Sequence, residues 1–174
     1  MLGKTKVAIG LGSNLGDRRL NLQNAVWRLA EDGLAFTVSS SVYETAPWGI
    51  IDQPAFLNAV IIGETDWKPP ALLHLLKSLE REMGRVEGVR NGPRLIDLDL
   101  LVYGDLAWES PGLQVPHLRL KERDFVLVPL AEVWPDWRHP VEKASAKSIL
   151  ESLARTQPLS AKVFALPLSG TTIP

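Results

Sequence analysis

The stretch RNGPRLIDLDLLVYG, Arg90 to Gly104, sets two carboxylates, Asp97 and Asp99, inside a run of Leu, Ile and Val suited to a sheet. An ionised carboxylate buried without a partner is costly, and two together cost more. In a strand, side chains alternate between faces, so Ile96, Leu98, Leu100 and Val102 fall on one side, while Leu95, Asp97, Asp99, Leu101 and Tyr103 fall on the other. The first side is wholly apolar and belongs on a core. The second projects both carboxylates in one direction from alpha carbons roughly 7 Å apart. Two carboxylates so placed can share one divalent cation or bracket a pair of them. Without a cation they repel, so replacing either by Ala is expected to leave the fold as firm or firmer. The competing reading is a solvated outer face, but Asp is a poor strand former, and two at period two in an apolar strand weigh against it.

The neighbourhood of the pair is basic. Arg85, Arg90 and Arg94 precede it, and His117, Arg119, Lys121 and Arg123 follow. Arginines beside a carboxylate-held metal suit polyphosphate, because cations offset charge on the non-bridging oxygens and guanidinium forks fix geometry. Any single Arg is most often surface. That reading is taken for Arg119, and the functional one for Arg94, three residues before Asp97. Trp48, Gln53, Phe56 and Asn58 could form a flat apolar slot edged by amides, fit for a planar heterocycle; away from the Asp–Arg cluster they would read as core. Gly10, Gly12 and Gly16 have neither dinucleotide-fingerprint nor P-loop spacing. They are read as a tight strand-to-helix turn, which leaves phosphate binding to side chains.

The elements that must position these residues follow from periodicity. Strands are predicted over Lys6–Gly12, Phe36–Tyr43, Phe56–Thr65 and Leu95–Tyr103, with helices over about Arg18–Asp32 and Pro69–Met83. The order β-α-β-β-α-β is that of a ferredoxin-like α+β sandwich, with two helices on one face of the sheet and the other face available for a site. A C-terminal extension follows: a short hairpin, a segment around Leu120–Leu130 and a helix near Ser145–Arg155. Residues 1–155 are assigned to one domain, and the tail 156–174, which has no period, is expected to be loosely attached. With 174 residues, 45% hydrophobic and 22% charged, the chain suits one compact soluble domain. A net charge of −1 gives no general affinity for nucleic acid or anionic membrane. The absence of cysteine excludes disulfides, thiolate metal sites and cysteine nucleophiles, and fits a cytoplasmic setting. The N-terminus makes a poor signal peptide, and no apolar run reaches membrane-span length.

Six motifs in order, GLGSNLGD (10–17), TAPWG (45–49), DQPAFLNAV (52–60), LEREMGR (79–85), NGPRLIDLDLLVYG (91–104) and VPHLRLKERDFVLVPLAEVWP (115–135), resemble the 6-hydroxymethyl-7,8-dihydropterin pyrophosphokinase family of folate biosynthesis. The resemblance covers about residues 5 to 150 and looks like a monofunctional form. It implies a ferredoxin-like fold and transfer of the terminal diphosphate of ATP to the pterin hydroxymethyl oxygen, releasing AMP. It implies that Asp97 and Asp99 hold two Mg²⁺ ions arriving with ATP, and that Arg85 and Arg94 contact the phosphates as catalytic residues. Glu80, His117, Lys121 and Arg123 would line the ATP site, with backbone near Leu100 holding adenine. Thr45, Asn58 and the backbone of Ala46 and Trp48 would meet the pterin edge, and Phe56 and Phe125 would sandwich its ring. ATP and the hydroxymethyl dihydropterin are the implied partners, with no nucleic acid or membrane, and the chain is expected to act as a monomer or weak dimer. This sequence departs from the family pattern in a Val86–Gly92 loop one residue short, in Asn91 where a Trp often closes over substrate, in Glu87 where a basic residue often reaches phosphate, and in Leu118 where an aromatic is common.

Two other classes stand beside this one on the residues alone. A palm-type nucleotidyltransferase or cyclase also holds metals on strand carboxylates but releases pyrophosphate. A non-catalytic ligand-binding module on the same fold would leave the Asp pair and Arg cluster without a role.

Overall fold

The computed structural model describes residues 3–86, 88, 91–159, 161–165 and 167–169. Strand β1 (Thr5–Ser13) leads through a turn into helix α1 (Arg18–Glu31). Gly16 takes the left-handed conformation there (φ +64°), and Asp17 caps the helix by accepting the Leu20 N–H at 3.0 Å. Strands β2 (Ala35–Ser39), β3 (Val42–Thr45) and β4 (Phe56–Thr65) follow, then helix α2 (Pro69–Glu82), which opens on two prolines whose missing N–H groups cost nothing in a first turn. Leu72, Leu76 and Leu79 give α2 its buried stripe. Strand β5 (Asp97–Tyr103) completes the sequence-predicted order.

The sheet is antiparallel, ordered β5-β1-β4-β3-β8, with β2 also paired to β4 and β8 spanning Lys162–Ala165. The strand predicted over Phe36–Tyr43 is divided into β2 and β3. Ser39 pairs with Ile61 and Tyr43 with Asn58, so four steps on one strand face three on the other, and the extra residue makes a bulge. Ser40 fills the interrupted ladder, donating its N–H to Val60 O at 2.8 Å and accepting the Val60 N–H on Oγ at 2.9 Å. Counting β2 and β3 as one broken strand, the order is fourth, first, third, second, that of a ferredoxin-like sandwich.

One face of the sheet packs on α1 and α2 through a core that includes Val7, Ile9, Leu22, Leu29, Leu76 and Leu98. The opposite face is not left open, as the strand order alone suggested. The hairpin β6 (Trp108–Ser110) and β7 (Leu113–Val115) is followed by a 3₁₀ turn at Leu120–Glu122 and by helices α3 (Asp124–Val133) and α4 (Ala146–Thr156). These helices cover Ala8, Val60, Ile62, Leu101 and Val102 with Val126, Leu127, Leu130, Trp137 and Ile149. What remains uncovered on that face is a cleft between the N-terminal end of α3 and the loop after β3. The β1–β5 register slips between Ala8 and Ile9, which pair with Val102 and Leu100. Leu101 and Val102 therefore both face the α3–α4 core, and Tyr103 turns to the α1–α2 core, so Val102 and Tyr103 exchange the faces that strict alternation assigns them. The tail also holds an element that the pattern did not signal: β8 pairs with β3, and Leu168 is buried. Backbone pairing at a sheet edge needs no side-chain period.

Candidate active site

The cleft encloses about 280 Å³ and is lined by Gly10, Gly12, Thr45, Ala46, Trp48, Phe56, Asn58, Lys77, Arg85, Asn91, Arg94, Asp97, Asp99, Leu101, His117, Arg123 and Phe125, among others. Its two ends differ in chemistry, and each is built by a different part of the fold.

The charged end is an edge-strand construction. β5 is the free edge of the sheet, so the backbone of Leu98 points outward to α2. Glu80 accepts the Leu98 N–H on Oε1 at 2.6 Å, and Lys77, one turn earlier, donates to Leu98 O at 2.7 Å. Both backbone groups of an edge residue are thus satisfied by one helix. The same two side chains organise the site. Glu80 is buried, and its carboxylate meets Lys77 Nζ at 2.7 Å and Arg85 Nη1 at 2.7 Å. Arg85 Nη1 also donates to Asp97 Oδ1 at 2.6 Å, and Arg94 Nη1 donates to Asp97 Oδ2 at 3.1 Å. Asp99 has a looser partner, Lys77 Nζ at 3.6 Å from Oδ1. Burial pushes the Asp97 carboxyl up, but the charges of Arg94, Lys77 and Arg85 outweigh it and hold the group below the usual carboxylate range. Burial lowers the His117 imidazole, only partly offset by Asp99, so the ring is neutral at neutral pH.

The apolar end rests on β1 and β4. Gly10 and Gly12 lie within β1, as the strand predicted over Lys6–Gly12 has it, and line the cleft rather than forming the turn, which falls to Gly16. A methyl group at Gly12 would stand 3.1 Å from Asn58 Oδ1 and 3.7 Å from the Phe56 ring. Asn58 is fixed by donating its Nδ2 to Thr45 Oγ1 at 2.7 Å, and both residues are buried. That leaves a pinned amide and hydroxyl in the part of the cleft lined by Phe56 and Phe125. Trp48 lies at the mouth, with the Arg119 and Arg123 guanidiniums 4.8 and 5.1 Å from its ring centroid. Arg119, read from sequence as plain surface, is engaged in this stack. Arg123 also lies 5.4 Å from the Phe125 centroid, and its buried Nε has no hydrogen-bond partner among the described residues.

Several residues fall elsewhere than the sequence reading put them. Lys121 does not line the cleft; it pairs with Glu142 at the surface. Glu80 acts from behind the cleft wall rather than lining it, while the Leu100 side chain is buried in the α1–α2 core, which leaves open the expectation for the backbone near it. Gln53 links loops instead of edging the slot: its Nε2 donates to Ile50 O and Asn91 O, both at 2.8 Å, and its Oε1 accepts Asn14 Nδ2 at 3.0 Å. Asn14 also donates to Pro54 O and accepts the Arg94 N–H at 2.7 Å, joining three loops through one buried amide. Glu87 and Arg90 lie outside the described residues. The sequence reading missed Lys77 and Asn14. The spacing of Lys77, one turn before Glu80 on the helix flanking β5, was the available signal for the first; the second had none, because its partners are remote in sequence.

The donor set around the cleft fits a magnesium ion that comes with a polyanion. Among the described residues no group of three or more His, Cys, Asp or Glu converges as a cation cage. Mg²⁺ characteristically takes one or two protein carboxylates and completes its shell with water and phosphate oxygens. Asp97 and Asp99 could serve as such a pair, and Lys77, Arg85, Arg94 and Arg123 are cations beside them that could meet phosphate oxygens.

Comparison with known proteins gives a concordant picture. Residues 8–135 match the family model described as 7,8-dihydro-6-hydroxymethylpterin-pyrophosphokinase (HPPK). The "2-amino-4-hydroxy-6-hydroxymethyldihydropteridine pyrophosphokinase" of Methylorubrum extorquens is 41% identical over 155 residues, which are 88% of this chain and 95% of that protein. The "Folate synthesis bifunctional protein, mitochondrial" of Arabidopsis thaliana is 48% identical over 128 residues, 74% of this chain but 23% of the plant protein. The chain thus spans about a quarter of the length of such bifunctional relatives. Among solved structures, one titled "Crystal Structure Analysis of the HPPK-DHPS in complex with substrates" superimposes with a TM-score of 0.72 at 15% identity, covering 88% of this chain and 44% of that one. A likeness at that identity speaks to the fold alone.

Proposed function

The chain belongs to the 7,8-dihydro-6-hydroxymethylpterin-pyrophosphokinase family, and from that premise we propose that it transfers the terminal diphosphate of ATP to the hydroxymethyl oxygen of 6-hydroxymethyl-7,8-dihydropterin. The hydroxyl oxygen bonds to the β-phosphorus, the bond from that phosphorus to the α,β-bridging oxygen breaks, AMP leaves, and the hydroxyl proton is released. The observation that carries this reading is the joining of two unlike half-sites in one cleft. A carboxylate pair ringed by Lys77, Arg85, Arg94 and Arg123 shares the cleft with the aromatic rings of Phe56 and Phe125 and with a fixed amide and hydroxyl.

The protein's part is positioning and charge. The slot takes a planar heterocycle between two rings, and the Asn58–Thr45 pair offers its remaining donor and acceptor capacity to the heterocycle's polar edge. Arg94 and Arg85 are held by Asp97, and Arg85 also by Glu80, so their forks are oriented before phosphate arrives. Arg123, with no hydrogen-bond partner at Nε among the described residues, brings further positive charge to the seam of the two half-sites. Asp97 and Asp99 would hold two Mg²⁺ ions, which when bound supply Lewis-acid charge to the phosphate oxygens. His117, neutral and lining the cleft, accepts the Arg119 N–H on Nδ1 and so keeps Nε2–H to donate a hydrogen bond without adding charge. The cleft's partners in this reading are the two substrates, with the chain acting on its own.

Incubation with Mg-ATP and the hydroxymethyl dihydropterin, followed by nucleotide separation, tests this. AMP should appear in step with pterin diphosphate. ADP as the nucleotide product, or inorganic pyrophosphate released from ATP, would overturn the assignment, the second in favour of a nucleotidyltransferase.

A further inference from the structure

Resting on the reading of Asp97 and Asp99 as the cation-holding pair, we propose that Lys77 is a positioning residue that keeps a divalent cation off Asp99 until polyphosphate enters the cleft. The two carboxylates are not equivalent. Asp97 is gripped by two arginines at 2.6 and 3.1 Å, whereas among the described residues the ion-pair partner of Asp99 within 4 Å is the ammonium of Lys77, at 3.6 Å, with Arg85, His117 and Arg123 acting on it from further off. That ammonium is itself anchored, 2.7 Å from Glu80 Oε1 and 2.7 Å from Leu98 O. An ammonium has three donors, and two are committed to these anchors. The third side of the group faces Asp99, so Lys77 stands as a tethered monovalent cation where a free one would otherwise sit.

The local charge balance gives this contact a consequence. The described residues around the pair carry formal positive charge on Lys77, Arg85, Arg94 and Arg123 and negative charge on Glu80, Asp97 and Asp99. Four against three leaves the empty cleft at +1, an unfavourable field for a bare divalent cation. A polyphosphate reverses the sign of that field and offers the ammonium a better partner than Asp99 at 3.6 Å, freeing the carboxylate for metal. Metal binding is thereby made conditional on nucleotide, and Lys77 provides that linkage through Asp99.

Mn²⁺ binding without nucleotide, followed by electron paramagnetic resonance, reads this directly and needs no turnover. Lys77→Met should bind Mn²⁺ roughly tenfold more tightly than the unaltered chain, a difference comparable to loss of one partly screened charge contact. Lys77→Arg should behave like the unaltered chain. Lys77→Gln, which can still donate to Leu98 O, should share the gain if Lys77→Met folds poorly. In Lys77→Met the gain should vanish on adding Asp99→Asn, and it should shrink severalfold when a non-hydrolysable ATP analogue is present. If Lys77 only caps the sheet edge, its loss will lower the melting temperature and leave Mn²⁺ affinity unchanged or weaker, which overturns the proposal. Tight Mn²⁺ binding indifferent to Lys77 overturns this linkage alone. No Mn²⁺ binding by any variant, with or without the analogue, overturns the reading of the Asp pair as well.

Discussion

Asp97 and Asp99 are two residues apart on one strand face, yet removing them should have different consequences. Asp97 is the hub of a guanidinium cluster, so Asp97→Ala leaves Arg85 and Arg94 crowded without their shared acceptor. The repulsion expected from the bare sequence is already neutralised at this position. Asp97→Ala should therefore cost on the order of 2 kcal/mol of stability, as for a charged hydrogen-bond partner removed from a half-buried site. Asp99→Ala, which gives up one long ion pair, should leave stability nearly unchanged. Both should lose most turnover, and urea denaturation in chelator beside steady-state rates will separate the two effects. Gly12→Ala tests the apolar end of the cleft. The added methyl would stand 3.1 Å from an Asn58 that cannot easily retreat, because Thr45 holds it. The KM for the dihydropterin should rise about tenfold, a loss of ~1.4 kcal/mol of binding, with little change in the KM for ATP. At this scale the Asp pair and the Arg cluster were legible, because residue type and period are local properties; of the slot, residue type picked out Trp48, Phe56 and Asn58, misplaced Gln53, and left Thr45 and Phe125 to the family resemblance. The hub role of Asp97 and the three-loop junction at Asn14 were not, since each depends on partners that only folding brings together.

Two helices brace the site, α2 through several side chains and α3 through one. α2 governs the charged end through Lys77, Glu80 and the Arg85 that follows it, so the edge of β5 and these cations are tied to one helix. α3 is tied to β3 through Glu132, which accepts the Ser41 N–H at 3.0 Å, the Ser41 hydroxyl at 2.8 Å and the Tyr43 hydroxyl at 2.9 Å. Burial, with Glu132 beside it, pushes the Tyr43 hydroxyl up to about 12. An unfolded Tyr titrates near 10. A raised folded value means that this contribution is complete below about pH 10 and is lost as pH climbs through about 12. Tyr43→Phe should therefore lower stability by about 1 kcal/mol at pH 8 and flatten the alkaline decline between about 10 and 12; urea midpoints at pH 8 and 11 check both. Strand and helix order was readable from periodicity, down to the limits of β4 at Phe56 and Thr65. The bulges were not, because an extra residue at Ser40 or Leu101 is set by pairing register, which the alternation of one strand does not record.

For the whole molecule, the sandwich leaves one window on a face otherwise closed by α3 and α4, and the polar and apolar halves of the cleft meet in it. Among the described residues no helix is long and apolar enough to cross a membrane. The tail enters this architecture as well. Phe164 of β8 lies against Arg18, whose Nη1 donates to Glu44 Oε1 at 2.9 Å and to Ala55 O at 2.8 Å, at the two ends of the loop bearing Trp48. Phe164→Ala should loosen that loop and raise the KM for the dihydropterin more than the KM for ATP, which initial rates at varied concentrations of each substrate will read. In the proposed transfer two phosphorus atoms move together, and the fate of the β-phosphorus distinguishes this from transfer of one. With ATP labelled at that position, Mg²⁺ and the hydroxymethyl dihydropterin, all transferred label should be recovered in the pterin product, with unlabelled AMP as the nucleotide. Label retained in ADP would mean transfer of a single phosphoryl group and would contradict the account.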